Sequence, residues 1–279
     1  QYVYIKFRRE KLENFIMKTI HDFLRAKEEG KKITMISTYD YWSARLCEKA
    51  EIDCILVGDS VGMVVNGLDT TLPVTVDEMI YHAKAVRRGA PDTFIVVDMP
   101  FLSYQVKKED AVYNAGRIMK ETGCNAVKIE GGEEVAEVIQ KLVSVGIPVM
   151  GHLGLTPQSV HALGGYKVQG KTEEEQKRIL RDAKILEQAG VFAVVLEAVP
   201  SKLAKEITEF LEVPTIGIGA GKETDGQVLV FHDMLGFFDR SPKFVKRYME
   251  GGRLIKEALK NFKKEVQEGI FPGKEHTYD

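Results

Sequence analysis

Phe94-Ile95-Val96-Val97-Asp98 and Ala126-Val127-Lys128-Ile129-Glu130 are apolar runs that each stop at an acid. The same design recurs in Cys54-Ile55-Leu56-Val57-Gly58-Asp59 and in Phe192-Ala193-Val194-Val195-Leu196-Glu197. A continuous apolar run of this length reads as a strand covered on both faces, which belongs to a parallel sheet. An acid is costly to bury unless it is paired or holds a metal. In a (β/α)8 barrel the C-terminal ends of the strands are where active sites are built. Four acids at four strand ends therefore predict a divalent cation and a proton-transfer group on one rim.

Outward from these runs, apolar stretches alternate with amphipathic ones. Strands are expected over 33–38, 54–59, 94–98, 126–130, 148–152, 192–197, 214–217 and 228–231, with helices over 42–50, 76–88, 108–122, 133–145, 173–189, 201–211 and 244–268. Repeating βα units mean a parallel sheet. Eight of them fit an α/β fold closed as a TIM barrel better than an open sheet. Gly89, Gly123, Gly146 and Gly190 each precede a strand, as helix C-caps do. Two strand-end loops are long, 60–75 and 154–171. The second carries Gly164-Gly165-Tyr166-Lys167-Val168-Gln169-Gly170, and long loops in compact domains are often lids, or else surface excursions.

At 279 residues the chain suits one large domain. The first 16 residues are expected to be an extension or an expression remnant, because Met17 offers a native start; residues 17–279 then form the single barrel domain. With 39 basic and 41 acidic residues the net charge is -2, which argues against a nucleic-acid partner. No apolar stretch approaches the roughly 20 residues of a membrane helix. The start, Gln1 to Glu10, lacks the apolar core of a signal peptide. Cys47, Cys54 and Cys124 are scattered with no CxxC pair, which predicts reduced thiols and a cytoplasmic setting.

The strand-end residues suit particular chemistry. Asp59 and Asp98 match the one or two carboxylates by which Mg2+ is often held, with waters and substrate oxygens completing the shell; each could instead cap the following helix. Gly58 lets backbone approach a ligand, and Ser60 offers a hydroxyl. Lys128 and Glu130 lie two apart, so their side chains point the same way. Lys128 can neutralise charge on a substrate, and Glu130 can join the metal shell directly or through water; the alternative is a buried ion pair. His152 could bond a substrate carboxylate or oxo group, or be structural. Glu197 at an apolar rim can serve as a general base, or be a satisfied acid in a loop. Gly217-Ile218-Gly219-Ala220-Gly221 could bind an anion, as loops after strands 7 and 8 of barrels do, or serve close backbone packing.

Several longer motifs occur in order: Val57-Gly58-Asp59-Ser60, Thr71-Leu72-Pro73-Val74-Thr75, Val127-Lys128-Ile129-Glu130-Gly131-Gly132, Gly151-His152-Leu153-Gly154-Leu155-Thr156-Pro157-Gln158, the loop Gly164 to Gly170, and Gly217 to Gly221 with Thr224-Asp225-Gly226-Gln227. Together, from about Lys31 to Gly236, they resemble the ketopantoate hydroxymethyltransferase family. The resemblance implies a (β/α)8 barrel of the phosphoenolpyruvate/pyruvate class. It implies transfer of a one-carbon unit from 5,10-methylenetetrahydrofolate, as co-substrate, to 3-methyl-2-oxobutanoate. It further implies one Mg2+ per subunit on Asp59 and Asp98, with Glu130 as the third acid. Asp59, Ser60, Asp98, Lys128 and His152 would bind the substrate, and Glu197 would accept the proton. A homo-oligomer, commonly a decamer in the family, is also implied. The expected partners are a small 2-oxo acid and a folate, with no membrane.

Two rivals use the same features. A Mg-dependent carbon–carbon lyase acting on 2-oxo acids would share the chelation chemistry, but such enzymes need a loop cysteine, and loops 60–75 and 154–171 have none. A non-catalytic barrel would leave several buried charges unused, which is costly.

Overall fold

The computed structural model describes residues 19–278, so the expected extension over residues 1–16 lies outside the described residues. Two compact units divide the chain, one ending at Leu229 and one beginning at Val230.

In the first unit the apolar runs form parallel strands: β1 (Ile33–Ser37), β2 (Cys54–Val57), β3 (Phe94–Asp98), β4 (Ala126–Glu130), β5 (Val149–Gly154), β6 (Ala193–Glu197), β7 (Thr215–Ile218) and β8 (Gly226–Val230). They close in sequence order into a barrel. The predicted (β/α)8 architecture is therefore the observed one. Strand β2 ends at Val57, so Asp59 stands just beyond the strand, where the chain has already turned.

Alternation along each strand sorts the residues. Met35, Leu56, Phe94, Val96, Ala126, Met150, Ala193, Val195, Ile216 and Val228 pack together inside the barrel as a buried apolar floor. Asp98, Lys128, Glu130, His152 and Glu197 continue the same alternation toward the strand ends, so the period of two brings them to the same interior. Register sets their neighbours: Asp98 lies beside Lys128, Glu130 beside His152, and Gly154 beside Glu197.

Around the barrel run α2 (Tyr41–Lys49), α3 (Val61–Val64), α4 (Val76–Gly89), α5 (Lys108–Thr122), α6 (Ala136–Ser144), α7 (Glu173–Ala189) and α8 (Ser201–Phe210). Their starts follow local chemistry: Asp40 accepts the N–H of Trp42 and of Ser43, and Thr75 with Glu78 and Thr172 with Glu175 form capping boxes. Gly123 and Gly190 end α5 and α7 with φ of 69° and 98°, as expected of C-caps. Gly89 departs from that expectation. It is the last residue of α4, and a Cβ there would lie 2.2 Å from the Tyr41 carbonyl oxygen; the glycine permits close helix packing.

Three helices were not expected: the one-turn helices α3 and Phe231–Met234, and a longer one at the start of the described chain. Residues Ile20–Glu28 form α1, ahead of the first strand. It buries Phe23, whose ring lies 5.0 Å from that of Phe94 and 5.2 Å from that of Phe192. Phe94 begins β3 and Phe192 immediately precedes β6, so α1 closes the N-terminal end of the barrel.

The second unit carries α9 (Phe231–Met234) and α10 (Gly251–Gln267). The helix expected over 244–268 begins at Gly251 instead. Before that point the backbone folds back on itself, with Tyr248 N–H donating to the Met234 carbonyl and Gly251 N–H to that of Leu235. Those bonds use donors that a helix would have turned inward.

Candidate active site

The rim is built where apolar strands run out. Lys128, Asp98, Glu130 and His152 are all nearly fully buried, and the Glu197 side chain is 17% exposed. Lys128 Nζ lies 3.1 Å from Asp98 Oδ1, 3.0 Å from His152 Nδ1 and 4.0 Å from Glu130 Oε1. His152 reaches across two acids, with Nδ1 3.3 Å from Glu130 Oε1 and Nε2 3.2 Å from Glu197 Oε2. Glu197 thus has a neighbour that its sequence position did not reveal.

Asp59 reaches this cluster through its backbone as well as its side chain. Its N–H donates to Asp98 Oδ2 at 3.0 Å, and its own Oδ2 accepts from Gln158 Nε2 at 2.8 Å. Neither acid caps the helix that follows it. The other oxygen, Asp98 Oδ1, is buried without a well-directed hydrogen bond, Lys128 being its ionic neighbour. Ser60 Oγ lies 2.7 Å from Tyr39 Oη. Gly58 is required by crowding: a Cβ there would meet Ser60 Oγ at 2.8 Å, Ser37 Oγ at 3.0 Å and Asp98 Oδ2 at 3.4 Å.

Charge in a dry site shifts the ionisations. Burial, followed by the charges of Asp98 and Glu130, holds the Asp59 carboxyl well above the usual range. Burial also raises Asp98, with Lys128 opposing it. For Glu130 burial is outweighed by bonds from His152 and Gln158 and by the Lys128 charge, so it is lowered. In His152 burial and Lys128 disfavour the cation, but bonds to Glu130 and Glu197 reverse both and raise it. Lys128 is raised by Asp98, Glu130 and Asp59 against the cost of its burial, which keeps it cationic.

Sequence reasoning missed the residues that tie this layer together. Gln158 appeared only within a quoted motif, with no role given to it, and Tyr104 was not singled out. Both are buried. The Gln158 backbone N–H donates to Glu130 Oε2 at 3.0 Å, and Tyr104 Oη donates to Gln158 Oε1 at 2.7 Å. The one available signal was position: Gln158 follows the Thr-Pro step just after β5. The two long loops meet where Tyr166 Oη lies 3.3 Å from Met63 Sδ. The glycines after β7 serve packing: a Cβ at Gly217 would lie 2.7 Å from Thr224 Oγ1, and one at Gly221 2.6 Å from Ser201 Cβ.

Among the described residues, no three His, Cys, Asp or Glu side chains are gathered as a metal-holding group. Nor is any helix there long and apolar enough to cross a membrane.

The family model for ketopantoate hydroxymethyltransferase matches residues 17–274. The chain is 57% identical over 260 residues to a 3-methyl-2-oxobutanoate hydroxymethyltransferase of Aquifex aeolicus, covering 93% of this chain and 98% of the relative. It is 56% identical over 262 residues to the enzyme of that name from Thermus thermophilus, covering 94% and 99%. Among solved structures it is similar to 2,3-dimethylmalate lyase, a PEP mutase/isocitrate lyase superfamily member, with a TM-score of 0.59 and 18% identity over 94% of this chain and 92% of that one. At that identity the likeness is one of fold, the (β/α)8 barrel. By sequence, the chain belongs to the ketopantoate hydroxymethyltransferase family.

Proposed function

We propose that this chain moves the one-carbon unit of 5,10-methylenetetrahydrofolate, as a hydroxymethyl group, to C3 of 3-methyl-2-oxobutanoate, giving 2-dehydropantoate. The observation that carries the reading is the convergence of Asp98, Lys128, Glu130, His152 and Glu197 in one inward layer of a barrel of this family.

The donor set fits one Mg2+ per subunit. Asp98 Oδ1 lacks a well-directed hydrogen bond, and Asp59 is destabilised as an anion by burial and by the charges of Asp98 and Glu130; a hard cation held by Asp59 and Asp98 would relieve both. Asp59 and Asp98 would hold the ion. Glu130 Oε2 already accepts the Gln158 N–H and Oε1 faces His152 Nδ1 at 3.3 Å, so Glu130 would act from outside, through water. A bound Mg2+ would supply Lewis-acid polarisation of the substrate's keto oxygen.

The remaining chemistry falls to side chains. Lys128, held cationic, offsets the substrate's negative charge where it grows during deprotonation. Ser60, steadied by Tyr39, offers its hydroxyl to the oxo acid. Glu197, the most exposed of the set, takes the C3 proton, and His152 behind it fixes the carboxylate's direction. A carbon–carbon lyase would require a thiol at this rim, and Cys47, Cys54 and Cys124 are all buried in elements away from it. Three buried thiols suit a cytoplasmic setting. Trp42, 60% exposed on α2, and Tyr81, 72% exposed on α4, suit a homo-oligomer.

Proton NMR of 3-methyl-2-oxobutanoate in D2O tests the reading. With Mg2+ the C3–H signal is expected to fade by exchange, and hydroxymethyl product to appear only once methylenetetrahydrofolate is added. Neither exchange nor product, with metal bound, would overturn the assignment.

A further inference from the structure

We propose that Gln158 is a positioning residue for the metal-holding carboxylates, acting with Tyr104, and that it governs the affinity of the site for a divalent cation. The inference rests on the magnesium reading above and adds residues to which that reading gives no part.

Gln158 lies in the short turn Pro157–Ser159 after β5, and its amide is buried. Both polar atoms of its side chain and its backbone N–H are engaged. Nε2 donates to Asp59 Oδ2 at 2.8 Å and to the Met99 carbonyl at 2.9 Å. Oε1 accepts from Tyr104 Oη at 2.7 Å and from Gln105 Nε2 at 3.2 Å. Its backbone N–H donates to Glu130 Oε2 at 3.0 Å. One residue therefore grips an acid that follows β2 and an acid that ends β4, and is itself anchored to the chain just after β3.

The direction of the amide is not arbitrary. A backbone carbonyl can only accept, so the group facing Met99 must be the NH2 end. The same end then faces Asp59, and the carbonyl end is left for Tyr104. Tyr104 Oη has one proton and two nearby acceptors, Gln158 Oε1 at 2.7 Å and the Glu130 carbonyl at 3.0 Å; it receives the Glu130 N–H at 3.3 Å. The phenol thus links the amide's orientation to the backbone that carries Glu130.

The choice of a neutral amide has a physical consequence. Crowded carboxylates need donors to stay in place, and with Lys128 already 3.1 Å from Asp98 Oδ1 a second positive side chain at this point would further oppose an incoming cation. An amide steadies the anions with N–H dipoles and adds no net charge. It also occupies Oδ2 of Asp59 and leaves Oδ1 for the ion. Residues that orient metal ligands in this way typically change affinity by about 10–100-fold when removed.

The test is Mn2+ binding to the metal-free chain, followed by electron paramagnetic resonance of the free ion, with Mg2+ in competition. Gln158→Met keeps the length and loses the amide; affinity is expected to fall about tenfold in a chain that keeps its circular dichroism, with Tm lowered because Asp59, Met99 and Tyr104 lose a buried partner. Tyr104→Phe keeps the ring and loses only the hydroxyl; a smaller loss in the same direction is expected, and this variant decides the matter if Gln158→Met does not fold. Folded variants that bind Mn2+ as tightly as the wild type would overturn the inference and leave the metal site standing. A wild-type chain that binds no Mn2+ would overturn the metal site and this inference with it.

Discussion

Glu197 is set apart from the other rim acids by its access to solvent, its side chain being 17% exposed where those of Asp98 and Glu130 are nearly fully buried. A base must reach a substrate proton, which the most exposed carboxylate of the set can do. Glu197→Gln is therefore expected to keep Mg2+ and oxo-acid binding while C3–H exchange falls by at least about 100-fold, the lower range for losing a general base; exchange in D2O reads this directly, and undiminished exchange would remove Glu197 from the base role. Asp98, Lys128, Glu130, His152 and Glu197 were legible because an apolar run that stops on a charge is rare, and a period of two then sets the direction of each side chain. Gln158 and Tyr104 were not legible. They come from loops rather than strands, carry no charge at neutral pH, and owe their places to the folded rim.

At the scale of elements, α1 shows where pattern reading fails. Its nine residues are few and fully bury one large side chain, Phe23, and they precede the first strand, where a count of repeating βα units does not look for a helix. Phe23→Ala is expected to cost about 3–5 kcal/mol, measured by denaturant unfolding, because the cavity would open in an aromatic cluster at the barrel's end. The strands and most helices were readable within a residue or two, since their apolar periods are long. The start of α10 was not, because Gly236, Gly251 and Gly252 allow a backbone reversal whose bonds no periodicity encodes. A second prediction belongs to α7. Glu187 Oε1 accepts the N–H of Glu212 at 2.6 Å and of Val213 at 3.1 Å, tying α7 to the approach to β7. Burial raises its pKa, but Lys184 and those two N–H groups more than reverse this and lower it. A depressed carboxylate contributes stability that is present above its unfolded value of about 4.3 and is lost as pH falls through the folded value. Glu187→Gln should thus cost about 1 kcal/mol at pH 7, and its unfolding curve should converge on that of the wild type in acid below that window.

For the whole molecule, burial predicts chemical silence. Cys47, Cys54 and Cys124 are all buried, and burial together with Asp40 pushes the Cys47 thiol up to about 12. Thiolate is the reactive form, so an aromatic disulfide reagent at pH 8 should modify the native protein only as fast as it opens, and all three thiols promptly in guanidinium. A fast native phase would contradict the packing.

The seal that α1 places under the floor has its own consequence. It covers the N-terminal end of the barrel, so the acids at the opposite strand ends are reached from the far face. Fold-keeping and chemistry thus sit at opposite ends of the same strands, and damage at one end need not disturb the other.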